Sequence, residues 1–331
     1  MASLLTQDPL RGVRRLASVA AVATLVLIAM GGAVRATDSG LACPDWPACY
    51  GQWIPPADLN MWLEHSHRLW AGVVGIMIAW LAVWTWVRHR DRPLVWGASL
   101  VALLLVIVQA GLGAAVVLLH LRAGLVTSHL GMSLVVVGSL ILVAVLARRP
   151  DTVPVAPELR RRTGRWSAIV AAVVFGQSLL GGQATGRGAA YVFNAFPIWL
   201  TGHPWTGHIR EWLHVTHRFA GYLVAAAVIV FAVAARRVWR DVPAAPRWAR
   251  GLPQLAVALV LVQVALGITN VLTQATVASA ISHLAVASWL FSAFVLYAAL
   301  ALTTPRSIAD PPGPGDPPRD LASPLKEEVS T

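Results

Sequence analysis

Eight separate apolar runs of about 20 residues constrain this chain most, because that length carries a helix across the hydrocarbon core of a bilayer. They lie near 16–34, 65–87, 94–118, 124–147, 166–184, 213–235, 252–273 and 279–302. An open strand in lipid would leave its backbone groups unpaired, so each run is read as a helix and the fold class as an all-α integral membrane protein. Composition agrees, with 57% hydrophobic and only 12% charged residues. The formal charge of +11 does not point to nucleic acid, since the basic residues form short runs between spans and no soluble module gathers them. Twenty of the 26 fall in the N-terminus, the even-numbered loops and the tail. The positive-inside rule then predicts a multi-pass protein of the cell membrane with both termini cytoplasmic. RGVRR before the first run resembles a signal peptide, but the run is long and has a counterpart in the second half, so it is read as a span. The tail, 304–331, carries PPGPGDPP and too little apolar content to pack, and is expected to be disordered.

The chain is written twice. A shift of 150 residues lays WLEHSHR (Trp62 to Arg68) on WLHVTHR (Trp212 to Arg218) and Gly31-Gly32 on Gly181-Gly182, and Pro47 on Pro197. A shift of 154 lays VIVQAGLG (Val106 to Gly113) on VLVQVALG (Val260 to Gly267) and Ser128-His129-Leu130 on Ser282-His283-Leu284. Two four-helix halves follow, 1–150 and 151–303. Four spans per half is an even number, so the repeats are expected to be parallel bundles related by a pseudo-two-fold along the membrane normal.

Each half offers one histidine at the outer end of its second helix and one near the outer end of its fourth, His67 with His129 and His217 with His283. A lone imidazole in a membrane helix is ordinarily interhelical glue. A pair recurring at matched depth, with Arg68 or Arg218 beside one member, points instead to a site used twice. Zinc would want more ligands than each pair provides. Haem needs one or two axial ligands, an apolar slot and cations for its propionates, which Arg68 and Arg218 would supply. Gly72, Gly111, Gly113, Gly221 and Gly267 would let a flat ring or a neighbouring helix approach, and Gln109 and Gln263 read as interhelical hydrogen bonders. His65 and His214 are secondary candidates for propionate contact or proton transfer.

The halves differ at two places. Glu64 stands three residues before His67, on the same face, where the second half has His214. A desolvated carboxylate beside an apolar slot suits proton transfer or the stabilisation of a developing cation, against the plainer reading of a helix N-terminal acid. Glu211, near the same boundary, is expected to cap or to face solvent. CPDWPAC holds Cys43 and Cys49, the only cysteines, in the first outer loop. The pair reads as a disulfide, either a staple for a loop over the pocket or a redox-sensitive lid.

The run from Gly31 to Pro47, Glu64-x-x-His67-Arg68, His129, His217-Arg218 and His283, on eight spans, resembles the haem A synthase family of the cytochrome oxidase assembly pathway. The resemblance covers about residues 15 to 303. It implies oxidation of a ring methyl of haem O to a formyl group through a hydroxymethyl stage. It also implies a haem b on His217 and His283, a substrate haem on His67 and His129 with Glu64 at the reacting edge, and a redox-active or lid-stabilising Cys43–Cys49 disulfide. Haem O synthase would be a working partner, and the new oxygen would come from water. The electron acceptor, a quinone among the candidates, and assembly into a homo-oligomer stay open. The rival readings are a dihaem b electron carrier coupled to quinone, and a transporter with parallel repeats.

Overall fold

The computed structural model describes residues 8–148, 157–196, 205–242 and 245–303. The junction between the halves, Pro197 and the tail from 304 lie outside the described residues. Eight helices run through the rest: α1 (Arg11–Ala36), α2 (Leu59–Arg88), α3 (Pro93–Leu118), α4 (Ala123–Leu146), α5 (Pro157–Gly186), α6 (Ile209–Arg240), α7 (Arg247–Leu272) and α8 (Val277–Leu302). Each is long and apolar enough to cross a membrane.

The helices outrun the apolar stretches that announce them. α2 starts six residues before its span and α5 nine residues before, taking Arg160, Arg161 and Arg162 into its first turns. Thirty residues rise roughly 45 Å against a hydrocarbon core of about 30 Å. The ends therefore lie where lipid no longer demands apolarity and capping decides the boundary. Asp58 caps α2 by accepting from Met61 N–H (3.0 Å), and Thr276 caps α8 through Ser279 N–H (3.4 Å).

Within each half the helices form a ring, α1 against α2 and α4 with α3 closing it, and α5 against α6 and α8 with α7 closing it. The halves meet through α1 with α8, α5 with α4, and α4 with α8. This contact pattern is unchanged when the two sets of four helices are exchanged. Small residues allow the approach, as membrane packing requires in the absence of a hydrophobic drive between helices. A β-carbon on Gly32 would stand 2.9 Å from Leu284, and one on Gly182 would stand 3.5 Å from Leu130. These two contacts are the same pair of repeat positions with the halves swapped. Two large apolar cores result, with a small third cluster of Val145, Ala299 and Leu300 among the described residues. One is built on Val13, Ala20, Ile78 and Leu140, and the other on Val228, Phe231, Phe294 and Tyr297, with Trp239 donating to the Tyr297 hydroxyl at 2.8 Å.

Candidate functional site

The capped start of α2 sets the register that puts Glu64, His67 and Arg68 on one face, at i, i+3 and i+4. On α6 the corresponding start is held by His208, whose ring accepts from Arg210 N–H (3.3 Å), and by Glu211. Glu211 is buried and accepts from Thr206 N–H (3.0 Å), Thr206 Oγ1 (2.7 Å) and Gly207 N–H (2.8 Å), so it caps its loop and does not face solvent. A carboxylate with that many donors is satisfied inside the protein, which removes any need for water.

One cavity of about 1090 Å³ runs through both halves and is lined by all four imidazoles, Glu64 and Arg218. Each imidazole lies on a glycine of the helix before its own. A β-carbon there would stand 3.1 Å from His67 Cε1 at Gly31, 3.0 Å from His129 Cε1 at Gly113, 2.8 Å from His217 Cε1 at Gly181, and 3.3 Å from His283 Cε1 at Gly267. Gly113 and Gly267 thus seat imidazoles, whereas Gly72 and Gly111 face open space, and Gly221 meets the Gln177 amide.

The glutamines act as interhelical hydrogen bonders, and on the histidines themselves. Gln109 reaches His129 Nε2 (3.3 Å) and Gln263 reaches His283 Nε2 (3.2 Å). Gln177 lies 3.1 Å from His217 Nδ1 and donates to the His217 carbonyl at 2.8 Å. Sequence reading missed Gln177 because its repeat counterpart is Leu27, so no recurring pair marks it.

These residues fit a haem. The rings of His217 and His283 are 6.5 Å apart, centroid to centroid. A metal bonded to both at about 2 Å would hold the centroids about 6 Å apart. Nδ1 of His67, His129 and His283 is buried with no partner, as is Arg218 Nη1. Unpartnered buried groups cost about 1–3 kcal/mol each, and a ligand with an iron and carboxylates would supply what is missing on the donor side. Arg218 Nη2 donates to Ala195 O (2.7 Å), which leaves Nη1 for an anion. Among the described residues no group of three or more His, Cys, Asp or Glu forms another metal cluster.

Around Glu64 the geometry is tighter than sequence suggests. Glu64 is buried, accepts from Cys43 N–H (2.9 Å), and pairs with Arg68 Nη2 (2.5 Å). It is therefore not a lone desolvated acid but an anion with two donors. Arg68 donates further to Cys43 O (3.0 Å), Asp45 O (2.6 Å) and Ala48 O (2.5 Å). The Cys43–Cys49 disulfide is formed, and the loop it closes wraps its carbonyls around that guanidinium. Asp45 holds the far side by accepting from Tyr50 N–H and Gly51 N–H, both at 2.6 Å. His65 and His214 bond to loop carbonyls, Trp53 O (2.8 Å) and Ala189 O (2.7 Å), and so anchor the loops over the two imidazole pairs.

The COX15-CtaA family, described as cytochrome oxidase assembly protein, matches residues 14–61 and 58–295. Similar proteins include heme A synthase of Shewanella oneidensis, 29% identical over 306 residues that cover 79% of this chain and 88% of the relative. Heme A synthase of Geobacillus thermodenitrificans is 27% identical over 314 residues (92% and 96% covered), and that of Bacillus licheniformis 26% over 285 (85% and 93%). With the match running through both imidazole pairs and all eight helices, the chain belongs to the COX15-CtaA family of cytochrome oxidase assembly proteins.

Proposed function

We propose that this protein is a haem A synthase of the cell membrane, an oxidoreductase acting on a CH group that converts a methyl of haem O to a formyl group through a hydroxymethyl intermediate. The observation that carries the reading is the duplication of imidazole pairs on glycine seats in one cavity, with an acid beside only the first pair. The first half, 1–150, takes the substrate haem on His67 and His129. The second, 151–303, holds haem b on His217 and His283, with Arg218 Nη1 toward a propionate. Haem b, when bound, supplies a one-electron acceptor or relay. We take the two halves to be parallel repeats about an axis along the membrane normal, with both termini cytoplasmic.

The oxidation of methyl to hydroxymethyl takes up one water and releases two electrons and two protons, and the alcohol then loses two more of each. Glu64 accepts a proton from the attacking water and stabilises positive charge developing at the reacting carbon. Cys43 N–H and Arg68 hold its carboxylate in one orientation for that task. Arg68 is also the propionate candidate of this half, and a propionate would compete with the loop carbonyls for its guanidinium, which couples the lid to the substrate. Haem O synthase is the expected supplier, and a quinone or another acceptor takes the electrons.

The test is Glu64→Gln in a host that makes haem O. The variant should keep haem b and stop at haem O or the alcohol; normal haem A output would overturn the role given to Glu64. Replacement of His217 or His283 should abolish the haem b spectrum, and a retained spectrum in both would overturn that assignment.

A further inference from the structure

The cavity is not equally deep in the two halves. In the first half it continues past the imidazoles along Leu69, Val73 and Ile76 of α2 and Leu103 and Ile107 of α3. Four of these, Leu69, Val73, Ile76 and Ile107, are also exposed on the outer surface of the bundle, with Ile76 72% exposed. A residue that lines a cavity and faces the surroundings marks an opening, and here the surroundings are lipid.

The repeat positions of the second half leave a narrower opening, at Tyr222 alone, which lines the cavity and is 39% exposed. Phe219 stands where Leu69 is, Tyr222 where Gly72 is, and Leu261 where Ile107 is. Phe219 and Tyr222 pack edge to face at 6.3 Å, and only Tyr222 of the three touches the cavity. A β-carbon on Gly72 would meet nothing within 4 Å. One glycine in place of a tyrosine therefore leaves the first pocket with a side window between α2 and α3, about one helical turn deeper than its counterpart reaches.

We propose that this window seats the isoprenoid chain of the substrate haem and is the lateral route by which that haem enters from the bilayer. The inference rests on the reading that the first half holds the substrate, and it adds where the chain of that substrate lies. Haem O differs from protohaem by a long apolar tail, which the slot around His217 and His283 admits less readily because Tyr222 stands at its opening. An apolar window open to lipid accepts the tail with little loss of its surroundings, since lipid and leucine are alike as solvents. The same contrast explains why the second half would retain a tail-less haem: the Phe219–Tyr222 pair narrows its exit.

The experiment is to titrate haem O and protohaem into the purified full chain, with haem b in its second-half site, in lipid nanodiscs. Gly72→Tyr, which builds the second half's shutter into the first, should weaken haem O binding at least about tenfold and leave protohaem binding unchanged. Ile76→Trp should act in the same direction, and Leu223→Trp, on the lipid-facing surface of the second half and off the cavity, should not. Equal affinity of Gly72→Tyr and wild type for haem O, or equal weakening for both haems, would overturn the window. Failure of the wild-type protein to bind haem O at all would instead overturn the functional reading on which it rests.

Discussion

His67 and His217 occupy the same place in the two halves, yet only His217 meets a side-chain partner on the preceding helix, Gln177, where the first half has Leu27 and offers its backbone alone. A ligand held by a second hydrogen bond keeps its metal more firmly, and one without it releases more readily. Gln177→Leu should lower haem b retention about fivefold, the worth of one hydrogen bond of about 1 kcal/mol, as read from haem content after extended washing. The glycine seats give a graded series. Gly181→Ala places a β-carbon 2.8 Å from His217 and must displace the ring, whereas Gly267→Ala at 3.3 Å asks only a small adjustment of His283. Haem b loss should therefore follow that order in pigment analysis of the two variants, and the reverse order would contradict the seating. Both Glu64→Ala and Glu64→Gln remove the charge that faces Arg68, but Gln keeps an oxygen that accepts from Cys43 N–H and Arg68, whereas Ala leaves those buried donors without it, at about 1–3 kcal/mol. A lower thermal midpoint for Ala than for Gln separates that structural loss from the chemical one.

Among elements, the disulfide loop and the first turns of α2 form one unit, since Arg68 and Glu64 bind the loop's own backbone. Asp45 stabilises its outer end. The Gly51 N–H, then the Tyr50 N–H and the Arg68 charge, hold its carboxyl below the ordinary 3.8 against a smaller opposing effect of burial. A depressed carboxyl stabilises the folded loop fully above the unfolded value and loses that effect as pH falls through the lower folded value. The protection of the Tyr50 and Gly51 amides, taken relative to intrinsic exchange at the same pH, should accordingly fall in acid below that ordinary value, and Asp45→Asn should remove this pH dependence of the protection. Such a loop is nearly invisible in sequence. Its cysteines are legible as a pair, but the acceptors around Arg68 are backbone carbonyls, which carry no side-chain signature. Helix existence was legible for the opposite reason, because lipid imposes an apolar run on every span. Helix ends were not, since beyond the hydrocarbon Asp58 or Thr276 sets the boundary and apolarity says nothing.

For the whole molecule, the repeat made the four histidines legible, because two registers converge on matched helices. It hid whatever the halves do not share, which is why Gln177 and the Gly72–Tyr222 exchange emerge only when the helices are assembled. The glycine seats fall between these cases: Gly31 and Gly181 recur in the repeat, but that each carries an imidazole needs the packing. The exchanged Gly32–Leu284 and Gly182–Leu130 contacts join the halves beside the imidazoles, so one close-packed interface lies between the two imidazole pairs. With haems in both sites, as the proposed function has it, that arrangement would suit electron passage between them within a single cavity.

The most direct test is to purify the protein from cells making both protohaem and haem O, extract the pigments and identify them by chromatography and mass. The account predicts one haem b per chain together with haem O, its hydroxymethyl form or haem A in the other site. Two equivalents of haem b that do not exchange, or a preparation free of pigment, would contradict it.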